Sequence, residues 1–256
     1  MQNFPVTEKA LFFRLEIVRT FRVHFIRERY FMTTVTAKPF PYSFTPSKTA
    51  LIVIDMQRDF VNPGGFGEVL GNDVSLVRRA IVPCQNVLAA ARAAGLLVIH
   101  TREGHNPQLT DLFPAKRTRG GKTFIGEPGP MGRILVRGEK GHDIIEECYP
   151  LPHEIVLDKP GKGAFYSTDL ELMLRSQGIE SLIICGVTTE VCVQTTAREA
   201  NDRGFEVLIV EDACASYFPE FHRVTLDMIT AQGAIVGWTT TSETLCEILE
   251  HEVKQK

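Results

Sequence analysis

The sequence predicts an α/β fold of the doubly wound kind, three layers (α/β/α) around a mainly parallel six-stranded sheet. Three observations lead there. Short, continuous apolar runs such as ALIVID (50–55) and SLIICG (181–186) have the pattern of strands buried on both faces. Segments of helical period separate these runs, and strands joined through helices build parallel sheets. The 256 residues, 44% hydrophobic and 23% charged, suffice for one domain with a substantial core.

The elements follow in order. ALIVID is the first strand of the sheet. Residues 74–95 (VSLVRRAIVPCQNVLAAARAAG) keep a helical period and close on Gly95, a residue that tolerates the left-handed turn ending a helix. LLVIHT (96–101) is the second strand. A long irregular stretch, 102–152, rich in Gly, Pro and Arg, precedes EIVLDK (154–159), and long loops in compact domains usually carry function or are disordered. A helix over 167–178 opens on Ser-Thr-Asp, residues whose short oxygen-bearing side chains cap free N–H groups. SLIICG leads into a helix over 189–204, then EVLIVED (206–212), a helix near 220–232, a last strand AIVGW (234–238) and a terminal helix, TSETLCEILEHEVK.

Charge and composition exclude several classes. A net charge of −3 gives no electrostatic case for nucleic acid, and no apolar run is long enough to span a bilayer. The six cysteines (84, 148, 185, 192, 214, 246) match no paired-ligand spacing, and most read as reduced, packed thiols of a cytoplasmic protein. The first 31 residues differ from the rest: six basic against three acidic residues and six of the sixteen phenylalanines. Residues 1–45 are expected to be an N-terminal extension outside the core, with the domain running over 46–256. The extension is not a secretory signal, because arginines interrupt each apolar run.

In such a sheet ligands bind beyond the carboxyl ends of the strands. Asp55 ends the first strand, Lys159 follows the third, and Cys192 lies just past the fourth. Singly, each has an ordinary explanation: a turn cap, a solvated lysine, a packed thiol. Together, on one edge, they supply what thiol chemistry needs. A thiol attacks as the thiolate, which the Lys159 ammonium and the start of the following helix would favour. Asp55 would take the proton and pass it to a departing nitrogen. In the turn between Gly186 and Cys192, the Thr188 and Cys192 N–H groups are the natural donors to a developing oxyanion. Phe60 would form an apolar wall, or simply pack in the core.

These residues sit in ALIVIDMQRDF, TREGHNP, LDKPGKGAF and TDLELMLRSQGIESLIICGVTTEVCVQTTAREANDRGFEVLIVEDACA. Those motifs resemble the cysteine hydrolases of the isochorismatase-like superfamily over residues 45–250. The resemblance implies a catalytic triad of Asp55, Lys159 and Cys192, and a cis peptide at Val187–Thr188 that turns the Thr188 N–H toward the oxyanion. Longer stretches, including EPGPMGRILVRGEKGHDII and AQGAIVG, resemble the biuret-hydrolase branch, in which Lys162 and Gln232 are pocket residues. The expected reaction is C–N hydrolysis of a small amide or ureide such as biuret through an acyl-enzyme, without cofactor or metal, in a homo-oligomer.

Other readings are weaker. Vinyl-ether-cleaving relatives lack the cysteine. Nicotinamidases hold a metal through Asp-x-His, and HTREGH lacks that motif, so His100 and His105 are expected to hydrogen-bond rather than bind metal. A nucleotide-binding fold would need G-x-G-x-x-G after the first strand, where MQRDFVNPGG stands instead. Pairing of Cys192 with Cys185 as a redox sensor, and a catalytically silent domain, complete the alternatives. Arg102, Glu103 and His105 are candidates for the pocket mouth, with an Arg102–Glu103 ion pair on the rim equally open. Glu190 is ambiguous, since an acid is favoured in a helix's first turn anyway.

Overall fold

The computed structural model describes residues 32–117 and 124–254. Residues 1–31 lie outside them, and with them most of the expected extension. Among the described residues no helix is long and apolar enough to cross a membrane.

A hairpin, β1 (Thr33–Val35) and β2 (Tyr42–Phe44), precedes the sheet strands β3 (Thr49–Ile54) and β4 (Leu97–Glu103). Between these two lie the short helices α1 (Arg58–Val61), α2 (Phe66–Val69) and α3 (Val74–Arg78) and the longer α4 (Ile81–Ala94). The stretch after β4 holds a single turn of helix, α5 (Pro114–Arg117), and a minimal hairpin, β5 (Pro128–Gly129) and β6 (Gly132–Arg133). The chain continues through β7 (Ile155–Lys159), α6 (Leu170–Ser176), β8 (Ser181–Val187), a π-helical turn (Thr189–Val193) that runs into α7 (Gln194–Asp202), β9 (Glu206–Ala215), α8 (Pro219–Ala234), β10 (Trp238–Thr240) and α9 (Ser242–Lys254).

The six sheet strands lie in the order β10-β9-β8-β3-β4-β7, and every pairing is parallel. Strand side chains alternate between faces, so an unbroken apolar run feeds two cores at once. Leu51, Val53, Ile183, Leu208 and Val210 meet α4 and α9 in one cluster. Ala50, Ile52, Ile54, Ile184 and Ile209 meet α6, α7 and α8 in the other. Cys185 belongs to the first cluster and Cys192 to the second, so they face opposite sides of the sheet and the redox pairing has no geometric basis.

Four expectations need correction. The helix over 74–95 is two helices, α3 and α4, and Pro83 sits in the first turn of α4, where its missing N–H costs no intrahelical bond. The last strand begins at Trp238 rather than Ala234. Gln232, Gly233 and Ala234 take positive φ (53°, 78° and 66°), ending the helical path, and Val236 packs in the core instead of pairing. The third strand starts at Ile155, one residue later than expected.

The fourth concerns the domain start. Residues 33–44 are part of the core rather than outside it. Val35, Tyr42 and Phe44 are buried in the first cluster. Tyr42 Oη donates to Ser181 Oγ at 2.9 Å, and its ring lies 4.7 Å from that of Trp238. Lys38 exchanges two backbone hydrogen bonds with Thr239 and so covers part of the free edge of β10. A stretch that is polar on average conceals three inward-facing side chains, which is why composition placed it outside.

Candidate active site

Parallel strands bring their carboxyl ends to one edge, and the site is assembled there. Asp55 directly follows β3, with φ of 47°, an uncommon conformation for a residue with a Cβ. Lys159 is the last residue of β7, and Glu103, the last of β4, stands level with it in the ladder. Gly186, near the end of β8, pairs with Ile54 at φ 114°; a Cβ there would collide with the Ile54 carbonyl, so glycine is required for this close approach. The chain then passes a cis Val187–Thr188 peptide and enters the π-helical turn that carries Cys192.

The structure brings Asp55, Lys159 and Cys192 together. Lys159 Nζ lies 2.8 Å from Asp55 Oδ2, both side chains fully buried. It also donates to the carbonyls of Gly161 (3.1 Å) and Lys162 (3.0 Å). Asp55 Oδ1 accepts from Thr101 Oγ1 at 2.6 Å. Burial alone would lower the Lys159 pKa, but Asp55, Cys192 and Glu103 reverse this and hold it above the ordinary lysine value. Cys192 is buried too. Burial, with Asp55 and Glu103 beside it, pushes its thiol well up against the pull of Lys159 and Lys162, so the resting group is the thiol.

The sulfur's hydrogen-bond partner is Glu103, which the sequence left among the candidates for the mouth. Cys192 Sγ donates to Glu103 Oε2 at 3.6 Å, while Oε1 accepts from Lys162 Nζ (2.7 Å) and Lys116 Nζ (2.8 Å). Glu103 is fully buried; burial opposes its charge, but Lys162, Lys159 and Lys116 overcome that and hold the carboxyl far below the usual carboxylate range. No Arg102–Glu103 rim pair forms. Adjacent strand residues point to opposite faces, and Arg102 goes to Asp158 at 2.7 Å. The signal was there in the strand parity: Thr101 and Glu103, two apart, share the face that reaches Asp55 and Cys192. Lys116 had no such signal, being on a single helical turn within a long loop.

Above these groups lies a cavity of about 230 Å³, bounded by Phe60, Phe66, Leu70, Tyr217 and Phe218, with Glu103, Lys162, Val187, Thr188, Glu190 and Cys192. Phe60 both packs on the core and lines the cavity, so its two readings coexist. Tyr217 Oη donates to the Phe60 carbonyl at 2.6 Å, fixing one wall. Gln232 is not a wall residue. It is exposed in the kink that ends α8, whose first residues stand beside the cavity; twelve helical residues of about 1.5 Å each carry the chain about 18 Å toward the opposite edge of the sheet.

His100 bonds Glu154 (3.0 Å), and His105 lies between Asp111 (3.3 Å) and Lys116 (3.0 Å), so the two are bound to separate partners. Among the described residues, the donors close enough to share a cation are Asp55, Glu103 and Cys192, within 4.8 Å of one another. Their negative charge is already faced by ammonium groups, Lys159 on Asp55 and Lys116 and Lys162 on Glu103.

Comparisons with known proteins give the family and the fold. The family model described as Isochorismatase domain matches residues 49–243. A cysteine hydrolase from Pseudomonas syringae pv. phaseolicola 1448A superposes with a TM-score of 0.65 at 27% identity, covering 82% of this chain and 95% of its own. An isochorismatase family protein from Desulfovibrio vulgaris subsp. vulgaris str. Hildenborough gives 0.66 at 27% identity, with coverages of 79% and 98%. N-carbamoylsarcosine amidase from Thermoplasma acidophilum gives 0.60 at 25% identity, with 77% and 97%. With three strand-end side chains converging under one cavity and a family match over most of its length, the chain belongs to the isochorismatase family of hydrolases.

Proposed function

We propose that the protein is a thiol amidohydrolase that cleaves a C–N bond in a small amide or ureide, biuret being the substrate that the sequence favours. The observation that carries this reading is the buried Asp55–Lys159 pair beside Cys192 at the floor of a small, largely apolar cavity. The similarity to an N-carbamoylsarcosine amidase supports the same bond type.

In this reading the Cys192 proton moves to Asp55 as the sulfur attacks the carbonyl carbon. Glu103 is the poorer acceptor, because three ammonium groups face it. Lys159 compensates the charge developing on sulfur. The tetrahedral oxyanion takes hydrogen bonds from the Thr188 and Cys192 N–H groups, in a site where water cannot compete. Collapse breaks the C–N bond, and the proton on Asp55 goes to the leaving nitrogen. Water, giving its proton to Asp55, then attacks the thioester carbon; the C–S bond breaks and the thiol recovers its proton.

The test is ammonia release from a panel of biuret, N-carbamoyl amino acids and simple carboxamides, with Cys192→Ser beside the wild type. A hydroxyl is far harder to ionise than a thiol, so the variant should lose at least about a thousandfold in kcat while keeping its thermal midpoint. Turnover of the Ser variant near the wild-type rate refutes nucleophilic catalysis by this residue.

A further inference from the structure

Among the described residues lining the cavity, Glu190 is the acid that faces no cation. It stands two residues before the nucleophile, in the π-helical turn, among the residues that bound the cavity. Its Oε2 is covered and has no hydrogen-bond partner, and the carboxyl's side-chain contact is the Ser216 hydroxyl. Burial pushes its pKa up. A polar oxygen left unpaired in an apolar lining is a cost that a ligand N–H removes. The last torsion of a glutamate is broad and nearly two-fold, so rotation about it can turn an oxygen toward a bound ligand.

The rest of the wall limits what the site accepts. Among the described residues lining the cavity, the cation is Lys162, and its ammonium is already bonded to Glu103 at 2.7 Å. Lys159 is held beneath, on Asp55. A substrate with a carboxylate at its far end would bring a negative charge toward Glu190 with no uncommitted cation to meet it.

We propose that Glu190 sets the specificity of this site. Its carboxyl accepts an N–H from the end of the substrate remote from the scissile carbonyl, so the cavity takes neutral amides and ureides and refuses those ending in a carboxylate. This rests on the amidohydrolase reading above.

The experiment compares biuret with N-carbamoylglycine, which present an N–H-bearing amide and a carboxylate respectively at the far end. KM, kcat and thermal midpoint are measured for the wild type, Glu190→Ala and Glu190→Gln. The wild type should favour biuret by about a hundredfold or more in kcat/KM. Glu190→Ala should raise the KM for biuret about tenfold, the worth of one hydrogen bond to a charged group, with kcat changed less than KM. Glu190→Gln, which keeps an acceptor but no charge, should lower the KM for N-carbamoylglycine. Equal use of both probes by the wild type, or an unchanged KM for both in the two variants, overturns the role of Glu190 while leaving an amidohydrolase. Failure of the wild type to release ammonia from any amide overturns the underlying reading as well.

Discussion

Replacing Glu103 by Gln keeps the side chain's size and removes a full negative charge 3.6 Å from the sulfur of Cys192. At an effective dielectric of about 20, a unit charge at that distance acts on a thiolate with about 5 kcal/mol. The change also frees Lys116 and Lys162, whose ammonium groups now bond the carboxylate, to act on the sulfur. Both effects favour the thiolate. Even a third of the Coulomb figure corresponds to about a tenfold larger thiolate fraction at neutral pH. The assay is the second-order rate of inactivation by iodoacetamide across pH, followed by mass on Cys192. The variant should alkylate at least about tenfold faster at pH 7 and reach its plateau at lower pH, while kcat/KM falls because Lys162 loses its anchor. A rate at or below the wild type's, or a profile moved to higher pH, would refute the placement of Glu103 among the charges that oppose ionisation of the sulfur.

Three further outcomes follow from the fold. Gly186→Ala puts a Cβ against the Ile54 carbonyl at a φ that L-residues avoid, and should cost about 3 kcal/mol or more, read as a fall in the denaturation midpoint. Deleting residues 1–45 removes Val35, Tyr42 and Phe44 from the core, each worth about 2 kcal/mol of burial, and should lower the thermal midpoint by about 10 °C or more, whereas a chain beginning at Met32 retains all three. Gln232→Ala should leave the KM for biuret within about twofold, since the side chain is exposed at the end of α8, away from the cavity; a rise of tenfold would place this residue in the site after all.

What could be read from the sequence follows the physics of burial. Strands covered on both faces must be apolar at every position, so ALIVID and SLIICG declared themselves, and with them the edge on which Asp55, Lys159 and Cys192 meet. The hairpin over 33–44 did not, because alternation hides its three buried side chains among Thr, Lys and Pro. AIVGW imitated a strand, but its valine packs across a helix end, and only pairing with β9 and Lys38 decides where β10 begins. The role of Glu103 stays open in the sequence because the charges of Arg102 and Glu103 suggest a mutual pair and an early end to β4. The ladder instead continues to the level of Lys159 and separates them to opposite faces. Gln232 was carried over from a motif; its distance from the cavity is set by the length and direction of α8, which the motif does not encode.

The pairing of Glu103 with Lys159 at the tips of two neighbouring strands has a consequence for how this protein can change. Gain of a single residue within β4 exchanges the parity of everything after it and would bring Arg102 to the level of Lys159, offering the thiol a guanidinium in place of a carboxylate. The long loop beyond can lengthen or shorten without touching that polarity. Insertions should therefore be tolerated between β4 and β7 and excluded within them, and the sign of charge beside the nucleophile is guarded by counting rather than by chemistry.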